Sequence, residues 1–578
     1  MSNEQDDNQT PESAEIPNVN RRQFLGGASA AVIGVSAGAL AFAPKGEAAG
    51  TAGAVEASTI VTGENNVGRR QAAFNYRMKM ATQRRDAVHP QHRNNGDEAR
   101  YPNKIGSFHK ALPHNSFGEV DLGAYALLVH ALQTNSPTDY AAVPLGGARK
   151  IGNPQSGMAF EIEGLDPQAV TAPPPPALAS AEEAGEAVEL YWQALLRDVN
   201  FNDYEGSADA AAAIDDLNGL TVFKGLKDGG QVTAQTLFRD PLPGCGVGPY
   251  ISQFFVLPTP FGAEFVDRRA RVFTEGSDHM VTYDNWLTVQ NGGVNESSSF
   301  DPQRRYLRNG RDLAAWVQND VLYQAYFNAC LILGTPPNSF DEHSGGIGCG
   351  VNPGNPYRNS DNQFGFVTFG PPYFKALLAE VCSRAMKATW YQKWQLQRRL
   401  RPEAFGGLVH LQKTENRYPG ILHNDILNSP VLDATFDKYD TYLQPMAFPE
   451  GSPVFGAYTA GHATVAGACV TILKALFDAK NTVIPNPVVT SADGLSTEPF
   501  DGPPLTVEGE LNKLCSNVGT GRNIAGVHWR SDAVESFKLG EKIAIAILED
   551  QRACYNENRR GFFKGYTFTK FDGSTITV

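Results

Sequence analysis

Residues His462–Phe477 form a nearly all-apolar run, too long for a strand, that reads as a buried helix; Ala533–Glu549 reads as another. A helix that is apolar all round must be covered by other elements. Neither run reaches the roughly 20 apolar residues that cross a bilayer. The partners they require are present. A helical patch covers Arg70–Thr82. Ala181–Asp198 is amphipathic, with Ala184, Val188, Tyr191, Trp192 and Leu195 on one face. Asp312–Leu333 reads as one long buried helix, and Tyr373–Leu400 returns to helical periodicity through Leu377, Val381, Ala385 and Ala388. Strand-like alternation is scarce and there is no internal repeat. The fold class expected is all-α, built as helical bundles.

Punctuation between these elements is strong. Thr171–Ala177 holds four consecutive prolines, and Gly334–Pro372 is a long Gly/Pro/Asn-rich loop. The formal net charge of -13 argues against nucleic acid or an anionic membrane surface as partners. Any bound anion therefore needs local cations. Seven scattered cysteines, without CxxC spacing, argue against a disulfide scaffold or a zinc site, though one or two bridges fit an exported chain. Arg21-Arg22-Gln23-Phe24-Leu25, followed by an Ala/Gly-rich apolar stretch to about Ala43 and small residues at Gly46, Ala48 and Ala49, reads as a twin-arginine export signal over residues 1–48. The expected location is periplasmic or secreted, with no stable membrane insertion after cleavage.

Three segments carry chemistry. Lys393-Trp-Gln-Leu-Gln-Arg-Arg-Leu-Arg401-Pro402 is a basic stretch whose helix is expected to end at Arg401, since proline disfavours the α conformation before it. Eight residues of helix is about 12 Å of rise, within reach of two long side chains converging on one point. Alone, this reads more readily as a solvated basic helix end. In Tyr458-Thr459-Ala460-Gly461-His462, a small-residue loop leads into the apolar helix. Backbone N–H groups at a helix N-terminus bind anions, and His462 there suits acid–base work or simple capping. In Arg522-Asn-Ile-Ala-Gly-Val-His528-Trp-Arg-Ser531-Asp532, a loop enters a helix capped by Ser531 or Asp532. Arg522 offers a fork of donors and His528 a ring nitrogen.

Together the three segments give Lys, Arg, His, Arg and His in an order that resembles the superfamily of vanadium-dependent haloperoxidases and type-2 acid phosphatases. Arg401-Pro-Glu-Ala-Phe-Gly-Gly407 and Gly521-Arg-Asn-Ile-Ala-Gly-Val-His-Trp-Arg-Ser-Asp532 are similar to the bromoperoxidases of marine algae. So are Leu195–Tyr204, Gly248–Phe254 and Gln363–Gly370, and the likeness covers most of residues 65–560. The resemblance implies an all-α haloperoxidase-like domain over 49–578, with its anion-binding core at about 373–550. It implies a vanadate cofactor, with His528 as the metal ligand. Lys393, Arg401, Arg522 and the Gly461 amide would hold the oxyanion, with His462 as acid–base group and Lys393 polarising the peroxide. The implied reaction is oxidation of halide by hydrogen peroxide to hypohalous acid, with bromide first and iodide or chloride as alternatives. A small organic acceptor and a homo-oligomer are also implied.

Two positions depart from the family pattern. Ala460 stands where a serine is usual. Phe455 stands seven residues before His462, where the algal enzymes have histidine, and in this it resembles the fungal chloroperoxidases. Phe455 is therefore a candidate halide-site residue. The long loop also admits a structural calcium site at Asp361 and Gln363, although it has no EF-hand spacing and a plain loop reads as well. Two other functions use the same residues: an exported acid phosphatase with His528 as nucleophile, and a non-catalytic oxyanion-binding shell protein.

Overall fold

The computed structural model describes residues 66–337 and 346–578. The twin-arginine segment lies outside the described residues. The chain divides after Arg85 into two units. The described part of the first is residues 66–85 of the helix Asn66–Asp86, which contains the expected patch at 70–82.

The second unit is helical, with four two-stranded antiparallel sheets as its only sheets among the described residues. Eight helices position the site: α1 (Ala181–Leu195), α2 (Gly310–Asn319), α3 (Gln324–Gly334), α4 (Pro371–Tyr391), α5 (Pro402–Glu415), α6 (Gly461–Leu476), α7 (Val507–Ile524) and α8 (Arg530–Cys554). The apolar run of α6 is buried along nearly its whole length and packs against α4, α7 and α8. The contact with α8 is backbone to backbone. A Cβ on Gly540 would lie 2.0 Å from the Thr464 carbonyl, and one on Gly467 would lie 2.2 Å from that of Phe537. Only glycine permits helices this close.

Three expectations need correction. The single helix over 312–333 is two, α2 and α3, broken at Asp320–Tyr323. The break follows Asn319-Asp320, two residues that compete with the helical backbone; the Asn319 side chain donates to the Ala315 carbonyl (2.8 Å), and Asp320 is extended. The helix before Pro402 does not run to Arg401. Past Tyr391 it widens into a π-helical turn over Gln392–Gln397, and Arg398, at φ 35°, ends it. Pro402 instead opens α5, the position where its missing N–H costs nothing. Finally, α1 is not apolar on one face only. Glu183, Glu186 and Glu189 are buried on it alongside Val188 and Tyr191.

The described part of the long loop is held by asparagine side chains. Asn352 donates to the Thr567 carbonyl (3.0 Å) and Asn355 to that of Phe369 (2.9 Å). Asp361 and Gln363 are exposed. Among the described residues, no group of three or more His, Cys, Asp or Glu side chains is placed to hold a metal ion. The seven cysteines are free thiols.

Candidate functional site

The π-helical turn buries Lys393, and the extended residues after it bury Arg401. Both side chains meet the loop that leads into α6. Lys393 Nζ donates to the carbonyls of Gly456 (2.8 Å) and Ala457 (2.9 Å). Arg401 Nε donates to the Phe455 carbonyl (2.9 Å), and Nη1 to that of Val527 (2.6 Å). The Phe455 ring lies 5.1 Å from the Lys393 ammonium and 5.2 Å from the Arg401 guanidinium. Arg522, on the last turn of α7, is buried and donates through Nη1 to the Val317 carbonyl (2.9 Å).

Among the described residues, no carboxylate forms an ion pair with any of these three cations. Burial pushes the Lys393 ammonium well below its ordinary value, and Arg401 and Arg522 push it further; Asp532 opposes them. Burial likewise lowers Arg401 to about 9 and Arg522 to about 10. Several buried donors remain unmatched. Among the described residues, Arg401 Nη2, Arg522 Nε and Thr459 Oγ1 find no hydrogen-bond partner. Buried donors without acceptors are costly, and an anion among them would relieve both the repulsion and the missing bonds.

His528 sits against Arg401, its Nε2 3.2 Å from Nη1. Its Nδ1 is 2.9 Å from Asp532 Oδ2, which also accepts the Trp529 N–H (3.1 Å). Asp532, not Ser531, therefore caps α8, and the same carboxylate orients the imidazole. Burial and then Arg401 push its pKa well below the usual 6.5, and Nε2 faces the Arg401 donor as an acceptor. With Nδ1–H given to Asp532, the Nε2 lone pair is left toward the cations. Burial works against the Asp532 charge, but Arg399 and His528 outweigh it and hold the carboxyl below its usual range.

Gly461 and His462 open α6, with Ala460 as a cap that offers no side-chain oxygen. The Ala460 N–H is met instead by Ser536 Oγ on α8 (2.8 Å). His462 Nε2 lies 3.1 Å from Asp320 Oδ1 at the α2–α3 break. The Asp320 charge also favours the charged form of Arg522.

The structure thus brings Lys393, Arg401, Arg522, His528 and Phe455 into one cluster, and ties His462 to it through Asp320. Sequence reasoning missed Asp320, Arg399 and the orienting role of Asp532. The four-residue step from His528 to Asp532 was a usable signal. Asp320, inside an apolar run, was another.

A family model described as the VCPO second helical-bundle domain matches residues 376–557. The chain is 37% identical to the vanadium-dependent bromoperoxidase of Corallina pilulifera, across 84% of this chain and 94% of that protein. The chain belongs to the vanadium-dependent haloperoxidases. This haloperoxidase is also 36% identical to the vanadium-dependent bromoperoxidase of Corallina officinalis (84% and 92% covered) and 35% identical to that of Ascophyllum nodosum (82% and 87%). The homohexameric structure of the second vanadate-dependent bromoperoxidase from Ascophyllum nodosum matches it with a TM-score of 0.83 at 32% identity, covering 92% of this chain and 94% of that one. The cofactor of the enzyme is vanadate. Three buried cations, unmatched N–H and O–H donors and one neutral imidazole nitrogen are a donor set that fits a tetrahedral oxyanion with one coordinate bond.

Proposed function

We propose that this haloperoxidase oxidises bromide with hydrogen peroxide to hypobromous acid, with iodide or chloride as further substrates, and passes the oxidised halogen to a small organic acceptor. The observation that carries the reading is the buried Lys393/Arg401/Arg522 cluster, whose Arg401 faces the Nε2 of His528. Vanadate, when bound, supplies a Lewis-acid centre that activates the peroxide. His528 Nε2 is the coordinating atom, fixed by its bond to Asp532. Lys393, Arg401, Arg522 and the Gly461 N–H hold the oxyanion oxygens, and Lys393 polarises the peroxide. His462, paired with Asp320, accepts the peroxide proton. Phe455 lies against two of the cations and makes the halide side drier.

The hexameric relative supports a homo-oligomeric enzyme. The Arg21-Arg22 signal supports export to the periplasm or beyond. Apo-enzyme should gain bromination activity on addition of vanadate, with phosphate competing. Activity that survives thorough vanadate removal would overturn this. In the same assay, His528→Ala should abolish vanadate binding and turnover, whereas His462→Ala should weaken binding but cut turnover strongly. Equal and mild losses would show the roles to be misassigned.

A further inference from the structure

We propose that Arg399, clamped by two glutamates of α1, is a positioning residue that fixes His528 toward vanadate by holding Asp532 from behind. The inference rests on His528 being the vanadium ligand. Arg399 and Arg401 sit two apart in the extended stretch between the π-helical turn and α5. One packs against His528 and the other reaches behind it. Arg399 Nη1 donates to Asp532 Oδ1 (2.6 Å), while Asp532 Oδ2 takes the His528 Nδ1–H (2.9 Å). Each carboxylate oxygen is thereby committed, and the plane that aims the imidazole is set at both ends.

Arg399 is itself over-determined. Nη2 donates to Glu183 Oε2 (2.5 Å) and Glu186 Oε2 (3.0 Å), and its guanidinium lies over the Trp529 ring at 5.0 Å. Glu186 also accepts the Ser531 N–H and hydroxyl, both at 2.9 Å. All of these charged groups are buried. Helix α1, more than 300 residues earlier in the chain than His528, thus supplies the outermost support of the site. Three carboxylates on one buried guanidinium exceed what a single ion pair needs for stability. The arrangement is explained by the orientation it imposes, since groups that orient a metal-bound histidine affect metal affinity directly.

The test measures vanadate dissociation constants on full-length apo-enzyme, well below the melting temperature, together with KM for bromide. Arg399→Lys keeps the charge but loses the fork, and should weaken vanadate binding about 10-fold with KM for bromide unchanged. Glu183→Gln preserves the shape and should weaken it several-fold, so the question stays open to test if Arg399→Lys does not fold. A purely structural clamp would lower the melting temperature and leave the dissociation constant of the folded protein unchanged; that result in Glu183→Gln overturns the proposal. His528→Ala is the control. If it binds vanadate like the native enzyme, the ligand assignment fails and this inference with it. If it loses binding while the Arg399 and Glu183 variants keep native affinity, only this inference fails.

Discussion

At position 460 a methyl group replaces the hydroxyl usual in the family, yet the neighbouring Thr459 hydroxyl is buried and has no hydrogen-bond partner among the described residues. A hydrogen bond to a charged group contributes about 1.5–3 kcal/mol, roughly tenfold or more in affinity. If Thr459 supplies the missing donor, Thr459→Val should weaken vanadate binding about tenfold. Ala460→Ser, adding a second donor, should raise vanadate affinity or halide turnover. Equilibrium titration of both variants checks this, and native affinity in Thr459→Val would remove that residue from the site. Phe455 has a different consequence. Its ring fills space beside the Lys393 and Arg401 cations without offering a hydrogen bond. A less solvated halide is easier to oxidise, so the ratio of chloride to bromide turnover should fall in Phe455→His. An unchanged ratio would mean that selectivity is set elsewhere.

Among the elements, the α6–α8 contact holds two arms of the site together, since α6 opens at Gly461-His462 and α8 opens just after His528. Its closeness depends on Gly467 and Gly540. In Gly540→Ala the new Cβ would lie 2.0 Å from the backbone oxygen of Thr464, which cannot rotate away. The helices must separate, at a cost of about 1–3 kcal/mol in overpacking. The expected result is a lower melting temperature together with weaker vanadate binding, because both helix starts shift. Calorimetry and vanadate titration on the same sample measure the two effects. A destabilised variant with native affinity would show that the helix starts are held independently.

For the whole molecule, acid should destabilise the fold through buried neutral imidazoles. His109 Nδ1 and His114 Nε2 are 2.7 Å apart, so one ring donates to the other and the accepting ring is neutral. Burial lowers His114 to about 4, and burial together with His114 lowers His109 well below 6.5. The unfolded chain takes up these protons near pH 6.5 and the folded chain only further down. Their stability contribution is therefore full above about pH 6.5 and is lost progressively as the pH falls from there toward 4. His114→Asn should flatten that acid limb in urea melts collected from pH 7 to pH 4. A limb as steep as in the native enzyme would place the effect at other groups.

Periodicity in the sequence is enough for the helical class and for the boundaries of α6 to within a residue; Lys393, Arg401, Arg522, His528 and Phe455 are singled out only by the resemblance of their segments to the haloperoxidases. Burial of an apolar run belongs to the residues themselves, so periodicity carries the helix, whereas the roles of the site residues follow from neither periodicity nor spacing. Tertiary structure decided how those residues meet. The π-helical turn at 392–397 and the left-handed Arg398 bring Lys393 and Arg401 to one loop along a path that an ideal helix ending at Pro402 would not follow. The partners Asp320 and Glu183, and the Ser536 hydroxyl that meets the Ala460 N–H, come from elements far away along the chain. No local pattern specifies such pairings, since a buried carboxylate or hydroxyl finds its partner only when helices distant in sequence pack together.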